Sequence, residues 1–387
     1  MTARLFANIG ELTTNDRTLG DESSLGRLNN AAIVVDEHRV LWVGATLDSP
    51  DADELIDVDG AAVVPGFVDS HTHLVFFGER SAEFEARMSG ERYDGGGILA
   101  TVAATRRATS DELRSATATR ARDLRASGVT TMEIKSGYEL TLEGEERLVE
   151  IAGEFSDEVT FLGAHTVPDE FAHDREGYVD FVAGQMMTRC APHARWADVF
   201  CDTGAFNVDE ARHVLLRARD SGLGLRLHAN QLGDTGGVGL AVELGCASVD
   251  HCTHVSDSDL DALSSCDTVA TLLPGAEFST RSPYPSGRRF LDAGVTVALA
   301  TDCNPGTSYV TNMSLIIALA VREMGMTADE ALWAVTRGGA TALRRDDIGH
   351  LGVGARADFS ILDAPRAAHL AYRPGGDVVH QVFRATR

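Results

Sequence analysis

The chain has 387 residues, of which 44% are apolar, enough for one large α/β domain and a smaller one. Its 58 acidic and 34 basic residues give a formal net charge of -24, which repels nucleic acid and anionic membranes, so we expect neither as a partner. No apolar run reaches the length of about 18 residues that spans a bilayer, and the N-terminus lacks the apolar stretch of a secretory signal, which together predict a cytoplasmic protein.

The lysine and cysteine content indicates the kind of organism and the redox state of the thiols. Lys135 is the only lysine, and every other basic residue is arginine. Strong acidity with almost no lysine is typical of proteins from salt-accumulating organisms, because high ionic strength screens the self-repulsion. The six cysteines are scattered without a C-x-x-C pair, which predicts reduced, mostly buried thiols and no disulfide framework.

The two ends of the chain have the pattern of β-structure. The predicted N-terminal strands, separated by Gly, Asn and Asp, are Ala3–Ile9, Ala31–Val35, Val40–Val43 and Glu54–Val58. Strand-like runs return from Gly352 to the C-terminus. We therefore predict a small β-sandwich-like domain built from residues 1–62 and 352–387, with residues 63–351 forming the larger domain.

Between these ends, strands alternate with helices. The predicted strands are Val64–His71, Val129–Lys135, Val159–His165, Trp196–Cys201, Gly224–His228, Ala247–Cys252, Thr268–Leu273 and Val295–Asp302. The predicted helices include Ser110–Ala126 with Ser110 as its N-cap, Leu142–Phe155, Val208–Ser221 and Thr235–Leu244. About eight such units are the number found in a TIM (β/α)8 barrel. A doubly wound open sheet is the alternative, but no G-x-G-x-x-G motif opens a helix in the first unit.

Several predicted strands end in residues that can bind a metal. His71 and His73 lie two apart at the end of an extended strand, so both side chains point to the same side. His228 ends the fifth strand, and Asp302 ends the eighth. Because the C-terminal strand ends of a barrel share one mouth, these residues should converge there. Three neutral imidazoles and a carboxylate suit one zinc or iron(II) ion.

Other strand-end residues have less specific chemistry. His165 and His251 end the third and sixth strands, and we interpret both as hydrogen-bonding or proton-handling groups in the pocket, with a buried core imidazole as the alternative. In the second strand Glu133 and Lys135 alternate with apolar residues, which predicts a buried Glu–Lys pair inside the barrel.

Longer motifs around these residues resemble a known group of enzymes. The segments VPGFVDSHTHLVFFGER, EIKSGYEL, FLGAHTVPDE, LRLHANQL, SVDHCTH and TDCNPGTSY extend from about residue 64 to 309. PGFVDSHTH resembles the amidohydrolase superfamily of metal-dependent hydrolases. GER, KSGY, GAHTVP and NPGTS narrow the resemblance to the imidazolonepropionase family, enzymes of histidine degradation.

The resemblance implies hydrolysis of the ring amide of 4-imidazolone-5-propanoate, a small-molecule substrate, to N-formimidoyl-L-glutamate. It implies one zinc or iron ion per subunit and, at the level of the family, a homodimer. The implied metal ligands are His71, His73, His228 and Asp302. The positions that match substrate- or product-contacting residues are Arg80, Tyr138, His165, Gln231, Asn304, Gly306 and Thr307.

The expected chemistry is attack of a metal-bound hydroxide on the ring carbonyl. Asp302, whose second carboxylate oxygen is expected to be free, accepts the proton and passes it to the departing nitrogen, while His251 stabilises the oxyanion. Arg80 offers a two-pronged cation for the propionate. Gln231 stands where some members have Glu; since Gln cannot accept a proton, it can only orient substrate or water. Glu139 stands where members commonly have Gly, so the resemblance does not predict the conformation of this loop.

Two other functions compete with this one. Another single-metal amidohydrolase, such as a cytosine- or guanine-type deaminase, is the nearest. Those enzymes lack an anchor like Arg80 and commonly have a Glu shortly after the fifth-strand His, so Gln231 and the KSGY segment weigh against this function. A non-catalytic scaffold relative is the second, and retention of all four metal-binding residues weighs against it.

Overall fold

The structure is a computed structural model that describes residues 2–91 and 97–386. Its strands are β1 (Arg4–Thr13), β2 (Arg27–Val35), β3 (Val40–Ala45), β4 (Glu54–Asp57), β5 (Ala62–Pro65), β6 (Phe67–Asp69), β7 (Val129–Lys135), β8 (Glu158–Ala164), β9 (Trp196–Cys201), β10 (Gly224–Ala229), β11 (Ser248–His251), β12 (Val269–Leu272), β13 (Val297–Leu299), β14 (Phe359–Leu362) and β15 (Val379–Phe383). Its α-helices are α1 (Ser81–Met88), α2 (Ile98–Arg107), α3 (Ser110–Ala126), α4 (Leu142–Gly153), α5 (Arg175–Phe181), α6 (Met187–Cys190), α7 (Val208–Asp220), α8 (Gly237–Leu244), α9 (Asp257–Ser264), α10 (Pro274–Thr280), α11 (Gly287–Asp292), α12 (Met313–Glu323), α13 (Ala328–Trp333), α14 (Gly339–Ala342) and α15 (His369–Tyr372).

Strands from both ends of the chain form one sheet. Its order is β15-β14-β5-β1-β2-β3, and β4 pairs with β1. Apolar residues of one face make a core that includes Phe6 and Phe359, whose ring centroids lie 5.0 Å apart. Phe383 stacks on Phe359, so the last strand closes the core that the first strand begins. The predicted additional β-structure formed by both termini is confirmed.

The remaining strands form the predicted barrel. Their order, β13-β12-β11-β10-β9-β8-β7-β6, follows the chain strictly. Each neighbouring pair from β7–β8 to β12–β13 is parallel. A parallel bridge between Thr72 and Cys303 joins the segments that follow the first and last barrel strands. A doubly wound sheet would reverse its order at a switch point, so this alternative is wrong.

The first barrel strand is shorter than the sequence predicted. The apolar run predicted as one strand from Val64 to His71 is divided: β5 pairs with β14 and β1 in the terminal sheet, and only β6 lies in the barrel. The division falls at Pro65-Gly66. A Cβ at Gly66 would collide with the side chain of Thr130, so glycine allows the close approach at this point.

The start of helix α3 differs from the sequence prediction in its capping residue. Helix α3 spans the predicted residues, but its cap is Thr109 and not Ser110. The Thr109 hydroxyl accepts a bond from the Glu112 N–H, and the Glu112 carboxylate accepts one from the Thr109 N–H, a reciprocal capping box. Glu112 lies three residues after Thr109, which is the spacing that a capping box requires, so Thr109 takes the place predicted for Ser110.

By internal contacts the chain divides into two compact units, Met1–Asp69 with Asp123–Thr131 and Asn312–Arg387, and Ser70–Arg122 with Met132–Thr311. The predicted metal- and substrate-binding residues all belong to the second unit. The predicted domain boundaries at 62/63 and 351/352 stay a prediction. Among the helices of residues 2–91 and 97–386, none has the length and apolar character needed to cross a membrane.

Candidate metal centre

The four residues predicted to bind a metal lie together in the buried mouth of the barrel. The Nε2 atoms of His71 and His73 each lie 3.5 Å from Asp302 Oδ1. The Nε2 atoms of His73 and His228 lie 3.4 Å apart. One ring nitrogen of His251 lies within 4.8 Å of ring nitrogens of His71 and His228. The structure therefore brings together the predicted set and places His251 beside it.

Backbone hydrogen bonds hold the first and last barrel strands at this spacing. The Asp302 N–H donates to His71 O at 3.0 Å, and the His73 N–H donates to Cys303 O at the same distance. Three strand ends also carry non-glycine residues in the left-handed region: Asn230, His251 and Asp302 have φ values of 57°, 78° and 52°. Such conformations are costly and cluster at functional sites.

Two of the predicted histidine ligands have the protonation state that a metal needs, whereas burial raises the pKa of Asp302 well above its ordinary value. Burial lowers the pKa of His71, His73 and His251 well below the ordinary value, so the three imidazoles are neutral. The His71 Nδ1–H donates to Asp250 Oδ2 at 2.8 Å, which leaves the lone pair on Nε2. This buried Nε2 has no hydrogen-bond partner among the described residues, and a metal would satisfy it.

A layer of buried charges lies behind the histidines. Asp250 also accepts a bond from Arg226 at 3.2 Å. Asp198 Oδ2 lies 2.9 Å from His228 Nδ1 and 2.9 Å from Lys135 Nζ. Burial opposes the charge of Asp198, but His228 and Lys135 outweigh it and lower the pKa of this carboxyl. Each carboxylate thus orients one imidazole, the arrangement common around protein-bound metals.

The formal charges of this buried group favour one divalent ion. Four carboxylates, Glu133, Asp198, Asp250 and Asp302, face two cations, Lys135 and Arg226, and all six side chains are nearly or completely buried. If all are ionised, the group has an excess of two negative charges, which a single divalent cation would neutralise. Uncompensated charge is costly in a dry interior, so the donor set and its surroundings fit one metal ion.

The sequence prediction missed three members of this layer: Asp198, Arg226 and Asp250. The predicted Glu133–Lys135 pair is confirmed, with Lys135 Nζ 2.9 Å from Glu133 Oε1. The same signal, a charged residue two positions from another inward-facing residue in an apolar strand, marks Arg226 before His228 and would have found it.

The predicted substrate residues line one cavity at this mouth. They are Arg80, Tyr138, His165, Gln231, Asn304, Gly306 and Thr307, together with His73, His228, His251 and Asp302. His165 and His251, which the sequence predicted to face the pocket, both line it. Their chemical roles stay a prediction.

The aromatic side of the cavity is formed by Tyr138 and His165, whose ring centroids lie 5.1 Å apart. His165 Nδ1 lies 2.9 Å from Gly137 O, so it donates there and leaves Nε2 as an acceptor. Burial lowers the pKa of His165 to about 3, which keeps this ring neutral.

Arg80 and the loop after β13 also line the cavity. A Cβ at Gly306 would collide with the Arg80 guanidinium, so any larger residue here would displace the cation from its present position. Asn304 Oδ1 accepts bonds from the N–H groups of Gly306 and Thr307 at 2.8 and 2.7 Å. These bonds fix the loop that presents Thr307 to Asp302.

The second oxygen of Asp302 is not free, contrary to the sequence-based expectation. The Thr307 hydroxyl donates to Asp302 Oδ2 at 3.2 Å, while Oδ1 is the oxygen near His71 and His73. Sequence could not reveal this bond, because it depends on the turn between the two residues. Oδ2 retains a second lone pair, so it can still accept a proton.

Gln231 and Glu139, the two departures from the family pattern, fit the structure in different ways. Asp202 Oδ2 accepts bonds from the N–H groups of Gln231 and Leu232 at 2.6 and 3.1 Å, which holds Gln231 at the cavity. Glu139 does not have positive φ and forms an ion pair with Arg147. A non-glycine residue is therefore accommodated at position 139 without left-handed backbone.

Comparison with known proteins agrees with this architecture. A family model described as Amidohydrolase family matches residues 62–386. Among solved structures, a variant of an atrazine chlorohydrolase from Arthrobacter aurescens, complexed with zinc and atraton, is 20% identical with a TM-score of 0.72, over 98% of this chain and 93% of that one. A guanine deaminase from C. acetobutylicum is 14% identical with a TM-score of 0.71, over 99% of both chains. At these identities the likeness concerns the fold alone.

Curated relatives are much more similar. An imidazolonepropionase of Salinispora arenicola is 59% identical over 99% of this chain and 98% of its own length. One of Mycolicibacterium smegmatis is 58% identical over 99% and 97%, and one of Streptomyces griseus subsp. griseus is 56% identical over 100% and 99%. The chain therefore belongs to the amidohydrolase family and, within it, to the imidazolonepropionases.

Proposed function

We propose that the chain hydrolyses the ring amide of 4-imidazolone-5-propanoate to N-formimidoyl-L-glutamate, using one zinc or iron ion per subunit. The observation that carries the proposal is the convergence of His71, His73, His228 and Asp302 at one buried site. This site adjoins a cavity that Arg80 also lines. A bound divalent ion would polarise the ring carbonyl and lower the pKa of water in the cavity.

The proton transfers fall to Asp302. Its Oδ2 accepts the proton of the attacking water and delivers it to the ring nitrogen as the carbon–nitrogen bond breaks. The Thr307 hydroxyl holds Oδ2 in place during both transfers. One water is consumed, the carbonyl carbon becomes a carboxylate, and the nitrogen leaves protonated. Gln231 has no basic group, so it orients the substrate by hydrogen bonding.

Two histidines act on the ring of the substrate. His251 is neutral and donates its one N–H to the oxygen that becomes negative at the attacked carbonyl. His165 offers Nε2 as an acceptor to a ring N–H, since its Nδ1–H is used by Gly137. Tyr138 lies against His165 and closes this side of the cavity.

Arg80 selects the substrate. Its guanidinium lines the cavity and would pair with the propionate carboxylate, which a purine or pyrimidine lacks. This favours the proposed substrate over the deaminase alternative.

The test is hydrolysis of 4-imidazolone-5-propanoate by the wild type, Asp302→Ala and Arg80→Met. We expect loss of imidazolone absorbance with the wild type, near-complete loss of turnover in Asp302→Ala, and a raised KM in Arg80→Met. Substantial turnover by Asp302→Ala would contradict the mechanism. Ammonia release from guanine or cytosine, without imidazolone hydrolysis, would favour a deaminase.

A further inference from the structure

The only lysine of the chain lies completely buried beneath the candidate metal centre. Lys135 Nζ lies 2.9 Å from Glu133 Oε1 and 2.9 Å from Asp198 Oδ2. A buried cation in a protein that otherwise uses arginine for every basic position indicates a site where the shape of the ammonium group matters. An ammonium is compact and directs three donors into a tripod, whereas a guanidinium is a planar fork.

One of the two carboxylates supports the His-x-His segment. Glu133 Oε2 accepts a bond from the Thr72 N–H at 3.1 Å, and the Thr72 hydroxyl donates to Glu133 O at 2.6 Å. The Lys135 N–H also donates to Thr72 O at 3.0 Å. Thr72 stands between His71 and His73, so these bonds fix the backbone from which both imidazoles project.

The other carboxylate supports the third histidine. Asp198 Oδ1 accepts a bond from the His228 N–H at 3.1 Å, and Asp198 Oδ2 lies 2.9 Å from His228 Nδ1. One carboxylate therefore fixes both the backbone and the ring of His228. The ammonium of Lys135 is the group that joins this half of the centre to the half held by Glu133.

We propose that Lys135 is a positioning residue for the metal centre: it clamps Glu133 and Asp198 together and thereby sets the distance between the His71–His73 pair and His228. The inference rests on the proposed metal site. Without the ammonium, two carboxylates face each other in a dry interior and move apart or take up protons. His228 then loses its orientation relative to His71 and His73, and the metal is bound less tightly.

The alternative is a buried ion pair that only stabilises the fold. The two roles differ in metal affinity, because loss of fold stability alone does not change the geometry of the ligands in the folded protein. Zn²⁺ affinity of the metal-free protein, measured by competition with a chromophoric chelator, is therefore the main readout. The visible spectrum of the Co²⁺-loaded protein is the second, since it reports the geometry around the ion without any turnover.

The variant is Lys135→Met, which keeps the length and removes the charge. We expect Zn²⁺ affinity to fall about 100-fold, the upper range for groups behind metal ligands, and the Co²⁺ spectrum to change. Lys135→Arg keeps the charge but not the shape, and we expect about a 10-fold loss. Because Lys135 acts through Asp198, adding Asp198→Asn to Lys135→Met should lower the Zn²⁺ affinity by at most a further factor of about 3.

The matched control is Leu148→Ala, a completely buried residue of α4. It should lower the thermal midpoint through a packing defect and leave Zn²⁺ affinity unchanged. If Lys135→Met does not fold, the variant Lys135→Met/Glu133→Gln replaces it, because it removes one charge of each sign. That variant also leaves Asp198 without its cation, so its Zn²⁺ affinity should fall about 30-fold or more.

A Zn²⁺ affinity within about 3-fold of the wild type in either folded Lys135→Met variant would overturn the inference. Additive losses for Lys135→Met and Asp198→Asn would also overturn it, because the two residues would then act independently. Failure of the wild type itself to bind Zn²⁺ or Co²⁺ would instead refute the proposed metal site, so the two failures are distinguishable.

Discussion

Arg80 donates Nε and Nη2 to the two carboxylate oxygens of Glu83, at 2.8 and 2.5 Å. Arg80 is nearly buried at the cavity, while Glu83 is half-buried on α1. A bidentate pair of this kind fixes the plane of the guanidinium. Glu83 therefore takes part in orienting Arg80 towards the cavity.

We predict that Glu83→Gln raises KM for 4-imidazolone-5-propanoate about 10-fold and changes kcat by less than about 3-fold, because the carboxylate anchor is misaligned while the reacting atoms are not. Steady-state kinetics at several substrate concentrations measure both constants. Glu85→Gln changes an exposed carboxylate of the same helix and should leave both unchanged. An unchanged KM in Glu83→Gln would show that Arg80 is aligned by other contacts.

Thr307 gives a prediction about the proton transfers. Thr307→Val removes the hydroxyl that donates to Asp302 Oδ2 and keeps the side-chain shape. Since a hydrogen bond to a charged group contributes about 1.5–3 kcal/mol, kcat should fall at least 10-fold. Thr307→Ser retains the hydroxyl and should keep most of the activity. Equal rates for Thr307→Val and the wild type would mean that this bond has no part in turnover.

Glu277 should make stability depend on pH. Burial raises the pKa of this carboxyl to about 7, and Thr253 donates to its Oε1 at 2.7 Å. Its Oε2 has no hydrogen-bond partner among the described residues. Because the folded-state pKa lies above the unfolded value of 4.5, the folded state holds the proton more tightly. The resulting stabilisation is present below pH 4.5 and is lost as the pH rises from 4.5 to about 7.

Glu277→Gln should therefore be more stable than the wild type at pH 8, by at most about 3 kcal/mol, with the difference shrinking as the pH falls to 5. Urea unfolding of both proteins at pH 5, 6, 7 and 8 measures the difference. The exposed Glu37→Gln supplies the control for loss of one surface charge. A constant difference across this pH range would contradict the assignment.

The acidic surface predicts a response to salt. The formal charge of -24 repels itself more strongly in the folded state, where the charges are closer together. Raising KCl from about 0.1 M to about 2 M shortens the screening length from about 10 Å to below 3 Å and should raise the urea midpoint. An unchanged midpoint would remove the support for a salt-accumulating origin.

The sequence predicted the barrel well because its strands repeat a strong pattern and end in recognisable residues. It predicted the positions of His71, His73, His228 and Asp302 for the same reason. It did not predict that Val64 and Pro65 pair in the terminal sheet, because an apolar run indicates a buried strand but not the strand with which it pairs. The pairing partner is a long-range contact with β14, far along the chain.

The groups behind the histidines were harder to predict. Asp198, Arg226 and Asp250 stand within strands, where a charge is usually interpreted as solvent-facing. Only the barrel geometry shows that these side chains meet Lys135 and the far sides of His71 and His228. Likewise, the Asp302–Thr307 bond depends on a turn shaped by Asn304. Contacts between strands far apart in sequence cannot be inferred from local patterns.

The most direct test of the account is titration of the metal-free protein with Zn²⁺ or Fe²⁺ while hydrolysis of 4-imidazolone-5-propanoate is followed. His71, His73, His228 and Asp302 converge at one site, and the surrounding buried group has a formal excess of two negative charges. We therefore predict that chelation abolishes activity and that activity returns in proportion to added metal, up to one equivalent per chain. Full activity in the metal-free protein, or a requirement for two equivalents, would contradict it.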